Sequence, residues 1–203
     1  MRYIAHRGLW KEKSDQNTLE SFQRAFDSGF GVELDVRDKD GRLVVSHDPI
    51  SYRDSLDFEQ IVELFKQYDD KLAINIKSDG LLSMLMSFLG EIDESRYFIF
   101  DMSVPETLTY LKSSLSTYMR ISEYEDFSEL HKKSNGIWLD AFENDWWIGK
   151  NQIFEDSKPI CVVSPELHGR EKTKAWNYLK DTNFRNELYI CTDEPELAKI
   201  FFK

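Results

Sequence analysis

The sequence predicts an α/β barrel, and three observations carry that prediction. Apolar runs of strand length recur along all 203 residues, helix-patterned segments separate them, and the runs number eight. A composition of 41% hydrophobic and 14% aromatic residues is enough to bury one full core, so a single domain spanning residues 1–203 is expected.

The first strand, residues 3–6, ends at His6-Arg7-Gly8. Residues 18–26 carry apolar side chains at helical spacing, and Gly29 supplies a stop. Residues 31–37 form the second strand. Asp38-Lys39-Asp40-Gly41-Arg42 then reads as a turn into a further extended segment ending at His47. Residues 58–68 repeat the helical pattern through Ile61, Val62, Leu64 and Phe65. The remaining strands are 72–77, 97–101, 117–121, 136–140, 159–163 and 188–192, with helices over 81–89, 104–111 and 173–179. Pro105 suits a first helical turn, where its missing amide costs nothing, and Asp193 is placed to cap a helix beginning near Pro195. Residues 141–156, with Trp146-Trp147, read as a loop or short helix at a pocket rim, where the two indoles either stack on a base or sugar or join the core. His131, among charged residues, is expected at the surface. There is no internal repeat or low-complexity tract.

A net charge of −11 and a pI near 4.9 argue against a nucleic-acid or anionic-membrane partner, because polyanion binding begins with a field of opposite sign. No apolar run approaches the roughly 18 residues of a membrane span, and the chain starts without signal-peptide sections, so a cytoplasmic location is expected. Cys161 and Cys191 each sit inside an apolar run and read as buried thiols.

Chemistry concentrates where the early strands end. Glu33 and Asp35 lie two apart, so a strand points both side chains to one face. Two carboxylates on a barrel interior are costly unless a cation compensates them, and hard oxygen ligands suit Mg²⁺ or Ca²⁺, with Mn²⁺ also fitting. His6 and His47 both follow β-patterned residues and precede turns; imidazole titrates near neutrality and can serve as general acid or base. Arg7 can hold a phosphoryl oxygen or pair with an acidic neighbour.

His6-Arg7-Gly8, Asn17-Thr18 before a helix, Glu33-Leu34-Asp35-Val36, Asp40-Gly41 leading to Ser46-His47-Asp48, and Thr192-Asp193-Glu194-Pro195 together resemble the glycerophosphodiester phosphodiesterase family. The resemblance implies a TIM (β/α)8 barrel, a divalent cation on Glu33 and Asp35, and His6 and His47 as the catalytic pair. It also implies a small soluble phosphodiester substrate bearing a hydroxyl next to the esterified carbon. One histidine deprotonates that hydroxyl for attack on phosphorus, the other protonates the departing alcohol, and water opens the cyclic phosphate.

The chain departs from the family pattern twice. Gln16 stands where Glu is usual before Asn17-Thr18, and Asn75 stands where the third strand usually supplies a third carboxylate ligand. An amide oxygen can ligate, but Glu33 and Asp35 alone leave a dication site neutral and hold the ion more weakly. Asn75 therefore marks either a more highly charged substrate, such as a diphosphate diester, or a weakened relative, unless Asp101 at the next strand end replaces the ligand. Lys77 keeps its family place and is expected beside Asn75, toward the substrate phosphate.

Later in the chain, Glu166, His168 and Arg170 follow the seventh strand, at the edge of a barrel where substrate groups are held. Arg120 and Asp140 end strands five and six and are weaker candidates. Only about nine residues separate Asp48 from the second long helix, so little or no cap insertion is expected over the site; a protruding substrate or a partner subunit of a homo-oligomer then completes its wall. Besides hydrolysis, two alternatives stand: a lyase that stops at the cyclic phosphate, and a non-catalytic barrel that binds phosphorylated ligands.

Overall fold

Short β-branched and aromatic runs alternate with amphipathic stretches, and the element order follows them. In a computed structural model of the chain, which describes residues 1–50, 55–155 and 157–203, the first half runs β1 (Arg2–His6), α1 (Leu19–Asp27), β2 (Gly31–Lys39), β3 (Arg42–Val45), β4 (Leu56–Asp57), α2 (Phe58–Phe65), β5 (Leu72–Ile76), α3 (Leu82–Leu89), β6 (Tyr97–Phe100) and α4 (Val104–Tyr110). The second half runs β7 (Tyr118–Ile121), α5 (Glu129–Lys133), β8 (Gly136–Leu139), β9 (Ile160–Val163), α6 (Thr173–Asp181), β10 (Leu188–Thr192) and α7 (Pro195–Phe201). Each of the eight expected strands is present; β3 is the expected extended segment before His47, and the two-residue β4 was not expected. Residues 51–54, on which part of the expected short cap connection falls, and Asp156, the end of the expected 141–156 segment, lie outside the described residues.

The chain divides into two units, Ala5–Thr117 and Met1–Ile4 with Tyr118–Lys203. In the first, β2 is long because it serves two neighbours: Val32–Val36 run parallel to β5, and Val36–Lys39 run antiparallel to β3. The hairpin closes through Asp40 (φ 51°) and Gly41 (φ 77°), both left-handed as a tight two-residue turn demands. Parallel pairing of β5 with β6 extends the sheet, with Asn75 opposite Phe100. Phe22, Ala25 and Phe26 form the buried face of α1, and Phe26 stacks on Tyr68 with centroids 5.2 Å apart. Each such fully buried large side chain contributes about 1.5–3 kcal/mol.

In the second unit β7, β8, β9 and β10 pair in parallel in sequence order. Their apolar residues pack with Trp147, Trp176 and Leu179 into one cluster, and Trp176 meets Phe201 edge-on at 5.3 Å. Cys161 and Cys191 are buried free thiols, as expected.

Three local expectations need correction or a choice between alternatives. His131 is buried, because the short helix α5 turns it inward: its Nδ1 accepts the Ser128 amide at 2.9 Å, and its other ring nitrogen lies 2.8 Å from the Arg120 carbonyl. Of the two indoles, Trp147 joins the core, while half-buried Trp146 donates to the Asp140 carbonyl at 2.9 Å. At α7 the cap position falls on Glu194 rather than Asp193, and the Glu194 amide donates to Thr192 Oγ1 at 3.0 Å.

Candidate active site

The site in the Ala5–Thr117 unit is built by strand register. Asp35 of β2 sits directly opposite Asn75 of β5, and Glu33 lies two residues earlier on the same face. Both carboxylates are buried, at 2% and 0% exposure, which is tolerable only because cations and amides surround them. The Arg7 guanidinium lies 3.0 Å from Asp35 Oδ2 and the Lys77 ammonium 3.4 Å from Asp35 Oδ1. Asn17 donates its side-chain amide to Asp35 Oδ2 at 2.9 Å. Glu33 accepts the Arg7 backbone amide at 3.2 Å and the Asn75 amide at 3.3 Å, and His6 Nε2 stands 3.9 Å away. Burial foremost, then the negative charge of Asp35, pushes the Glu33 carboxyl up to about 7, against the opposing pull of His6, Arg7 and Lys77.

Backbone strain marks the same place. Arg7 (φ 57°), Asn17 (φ 57°) and Asp101 (φ 71°) all hold left-handed conformations that non-glycine residues rarely adopt. Gly8, at φ 89°, lets the β1 turn press onto α1: a Cβ there would lie 2.4 Å from Ser21 Oγ. Thr18 and Ser21 cap α1 reciprocally, and Ser21 Oγ also reaches the Arg7 carbonyl at 3.3 Å. Gln16 accepts from Arg7 Nη1 at 3.3 Å. Asp35 and Gln16 hold the guanidinium, and Ser21 holds the Arg7 backbone.

His47 follows β3. Its Nδ1 is 2.8 Å from Asp48 Oδ1, a bond that holds the Asp48 carboxyl below its ordinary range, and its carbonyl accepts from Arg37 Nε at 2.9 Å. His47 and Arg7 line one cleft of about 1050 Å³ together with Gln16, Asn17, Ser46 and Asp48. Sequence reading gave Asn17 and Gln16 no role. Their place just ahead of a helix cap that packs on His6-Arg7-Gly8 was the available signal.

Among the described residues no three His, Cys, Asp or Glu side chains gather as a metal cluster. The donor set is therefore two carboxylates and an amide. Asn75 Oδ1 is buried without a hydrogen-bond partner, its nitrogen being turned to Glu33. A buried orphan oxygen costs about 1–3 kcal/mol. Beside Glu33 and Asp35 it is a ready hard ligand, and the donor set fits a divalent cation.

The later candidates gather in the other unit. Asp140, at the end of β8, is buried and bonds His168 at 2.7 Å. Arg120 of β7 lies 3.9 Å from Asp140, pairs with Glu125 at 2.5 Å and sits over the Phe142 ring. Arg170 is held by Asp145 at 2.8 Å and the Ala141 carbonyl at 2.7 Å. Both Glu166 oxygens accept hydroxyls, from Ser164 and Thr192, which braces the ends of β9 and β10.

The sequence model of the glycerophosphoryl diester phosphodiesterase family matches residues 6–59, the segment holding His6, Glu33, Asp35 and His47. In that segment the chain is similar to this family. No curated protein matches the sequence. A glycerophosphodiester phosphodiesterase from Parabacteroides distasonis superposes with TM-score 0.76 at 19% identity, covering 98% of this chain and 96% of that one. One from Agrobacterium tumefaciens gives 0.69 at 17%, covering 97% and 98%. A Ca²⁺-dependent phosphatidylinositol-specific phospholipase C from Streptomyces antibioticus gives 0.58 at 10%, covering 100% and 96%. These likenesses establish the fold, the TIM barrel of the glycerophosphodiester phosphodiesterases.

Proposed function

We propose that this chain is a metal-dependent phosphodiesterase, a phosphoric diester hydrolase acting on a small glycerol-, polyol- or nucleotide-linked phosphodiester. One observation carries the reading: a buried Glu33–Asp35 pair, bracketed by Arg7 and Lys77, with the Asn75 amide oxygen left unpaired beside it. Glu33, Asp35 and Asn75 would hold a divalent cation, Mg²⁺ or Ca²⁺, which when bound neutralises charge on the non-bridging phosphate oxygens.

Arg7 and Lys77 orient the phosphate. The Asp48 carboxylate engages His47 Nδ1, which leaves Nε2 as the nitrogen for proton transfer at that ring. His6, beside Glu33, is the second proton carrier. One imidazole takes the proton of the neighbouring hydroxyl as it attacks phosphorus, the other gives a proton to the departing alcohol, and the pair reverses roles when water opens the cyclic phosphate. Arg120 and His168 are proposed as contacts to the rest of the substrate, with Glu166 and Arg170 bracing the segment that carries His168. Among the described residues no helix is long and apolar enough to cross a membrane.

Phosphorus NMR with Mg²⁺, Mn²⁺ or Ca²⁺ and a panel of phosphodiesters and diphosphate diesters tests this. A monoester product is expected; an accumulating cyclic phosphate would make the protein a lyase, and no turnover would leave a binding barrel. His6→Ala and His47→Ala should each abolish turnover while keeping cation affinity, and full activity in either variant refutes the assignment.

A further inference from the structure

Asp35 is oversubscribed. Arg7, Asn17 and Lys77 all address its two oxygens, and the Lys77 ammonium lies on Oδ1 at 3.4 Å. If Asp35 also ligates a dication, as the proposed function holds, Lys77 cannot keep that place, because two cations on one buried carboxylate oxygen repel each other in a medium of low dielectric. A second acceptor already stands within reach. Asp101 Oδ2 is 3.9 Å from the same Lys77 nitrogen, and the Asp101 side chain is only 15% exposed. The residue follows β6 in a left-handed conformation, φ 71°, the kind of strained backbone that persists where it aims a functional side chain.

We infer that Asp101 is a positioning residue that receives Lys77 from Asp35 when the cation site fills. The ammonium need shift only within the space between the two carboxylates. Asp101 then keeps Lys77 ordered for the substrate phosphate while Asp35 is released as a ligand. Asp101 need not touch the cation, which separates this role from that of a substitute ligand for the amide at Asn75.

Calorimetric titration of the whole protein with Mg²⁺ or Ca²⁺ alone tests the hand-over without any turnover. Asn tolerates left-handed backbone, so Asp101→Asn removes the charge and keeps the turn. It should weaken cation binding about tenfold, the lower edge of what outer-sphere partners contribute. Lys77→Met should tighten binding, and Asp101→Asn added to Lys77→Met should change nothing further. Equal weakening in both backgrounds would make Asp101 a direct ligand and overturn the inference, as would unchanged binding in Asp101→Asn. If Asp101→Asn does not fold, Lys77→Met decides alone: binding no tighter than wild type refutes the hand-over. A wild-type protein that binds neither cation sinks the metal reading itself, and the hand-over with it.

Discussion

Replacing Glu33 by Gln should stabilise the cation-free protein at alkaline pH while removing a carboxylate from the proposed cation site. In the folded state burial and Asp35 keep the Glu33 proton on up to about pH 7, whereas an exposed glutamate releases it near 4.5. Between those values the folded protein binds more protons than the unfolded chain. Stability from this group is therefore complete below about 4.5 and is lost as pH rises through about 7. At about 1.4 kcal/mol for each pH unit, the loss approaches ~3 kcal/mol. A Gln amide avoids it, and the pocket can accommodate the swap: its oxygen can accept the Arg7 amide, and, once the Asn75 amide turns over, its nitrogen can donate to Asn75 Oδ1, which lacks a partner. Urea unfolding in EDTA at pH 5 and pH 8 measures the effect. The advantage of Glu33→Gln over wild type should grow by roughly 2–3 kcal/mol across that interval. An advantage that stays flat, or shrinks as pH rises, would refute the argument.

Two further outcomes follow from the same site. Gly8→Ala must strain a left-handed turn and force a methyl into Ser21, so it should lose about 2–4 kcal/mol of stability in denaturant melts, and near-wild-type stability would show that the β1 turn can lift off α1. Asn75→Glu restores a third carboxylate and should tighten cation binding roughly tenfold by calorimetry, with no change placing Asn75 outside the ligand set.

The candidate site in the Ala5–Thr117 unit was legible because strand periodicity is local. Glu33 and Asp35 share a face at a separation of two, and the apolar run ending at His6 announces its position without knowledge of its neighbours. Asn75 opposite Asp35 was legible only as a departure from a family pattern, since register is a property of two strands and not of one. The pairing of Asp140 with His168 spans 28 residues and leaves no periodic trace. His131 was misplaced for a different reason: α5 is five residues long, too short to show an amphipathic pattern, so its charged neighbours dominated the reading. Likewise, nothing in the residue types of Ser164 and Thr192 marks them as partners of Glu166, a link that depends on β9 and β10 lying side by side.

The contact of Gly8 with Ser21 has a consequence for how this enzyme type can change. The Arg7 backbone is seated on a helix that begins at Leu19, since Ser21 fills the space beneath the turn and reaches the Arg7 carbonyl. A library confined to residues lining the cleft would leave that seat untouched. New substrate geometries should be sought by varying Ser21 and Thr18 together with Arg7, because the helix cap is hydrogen-bonded to the backbone that carries the guanidinium.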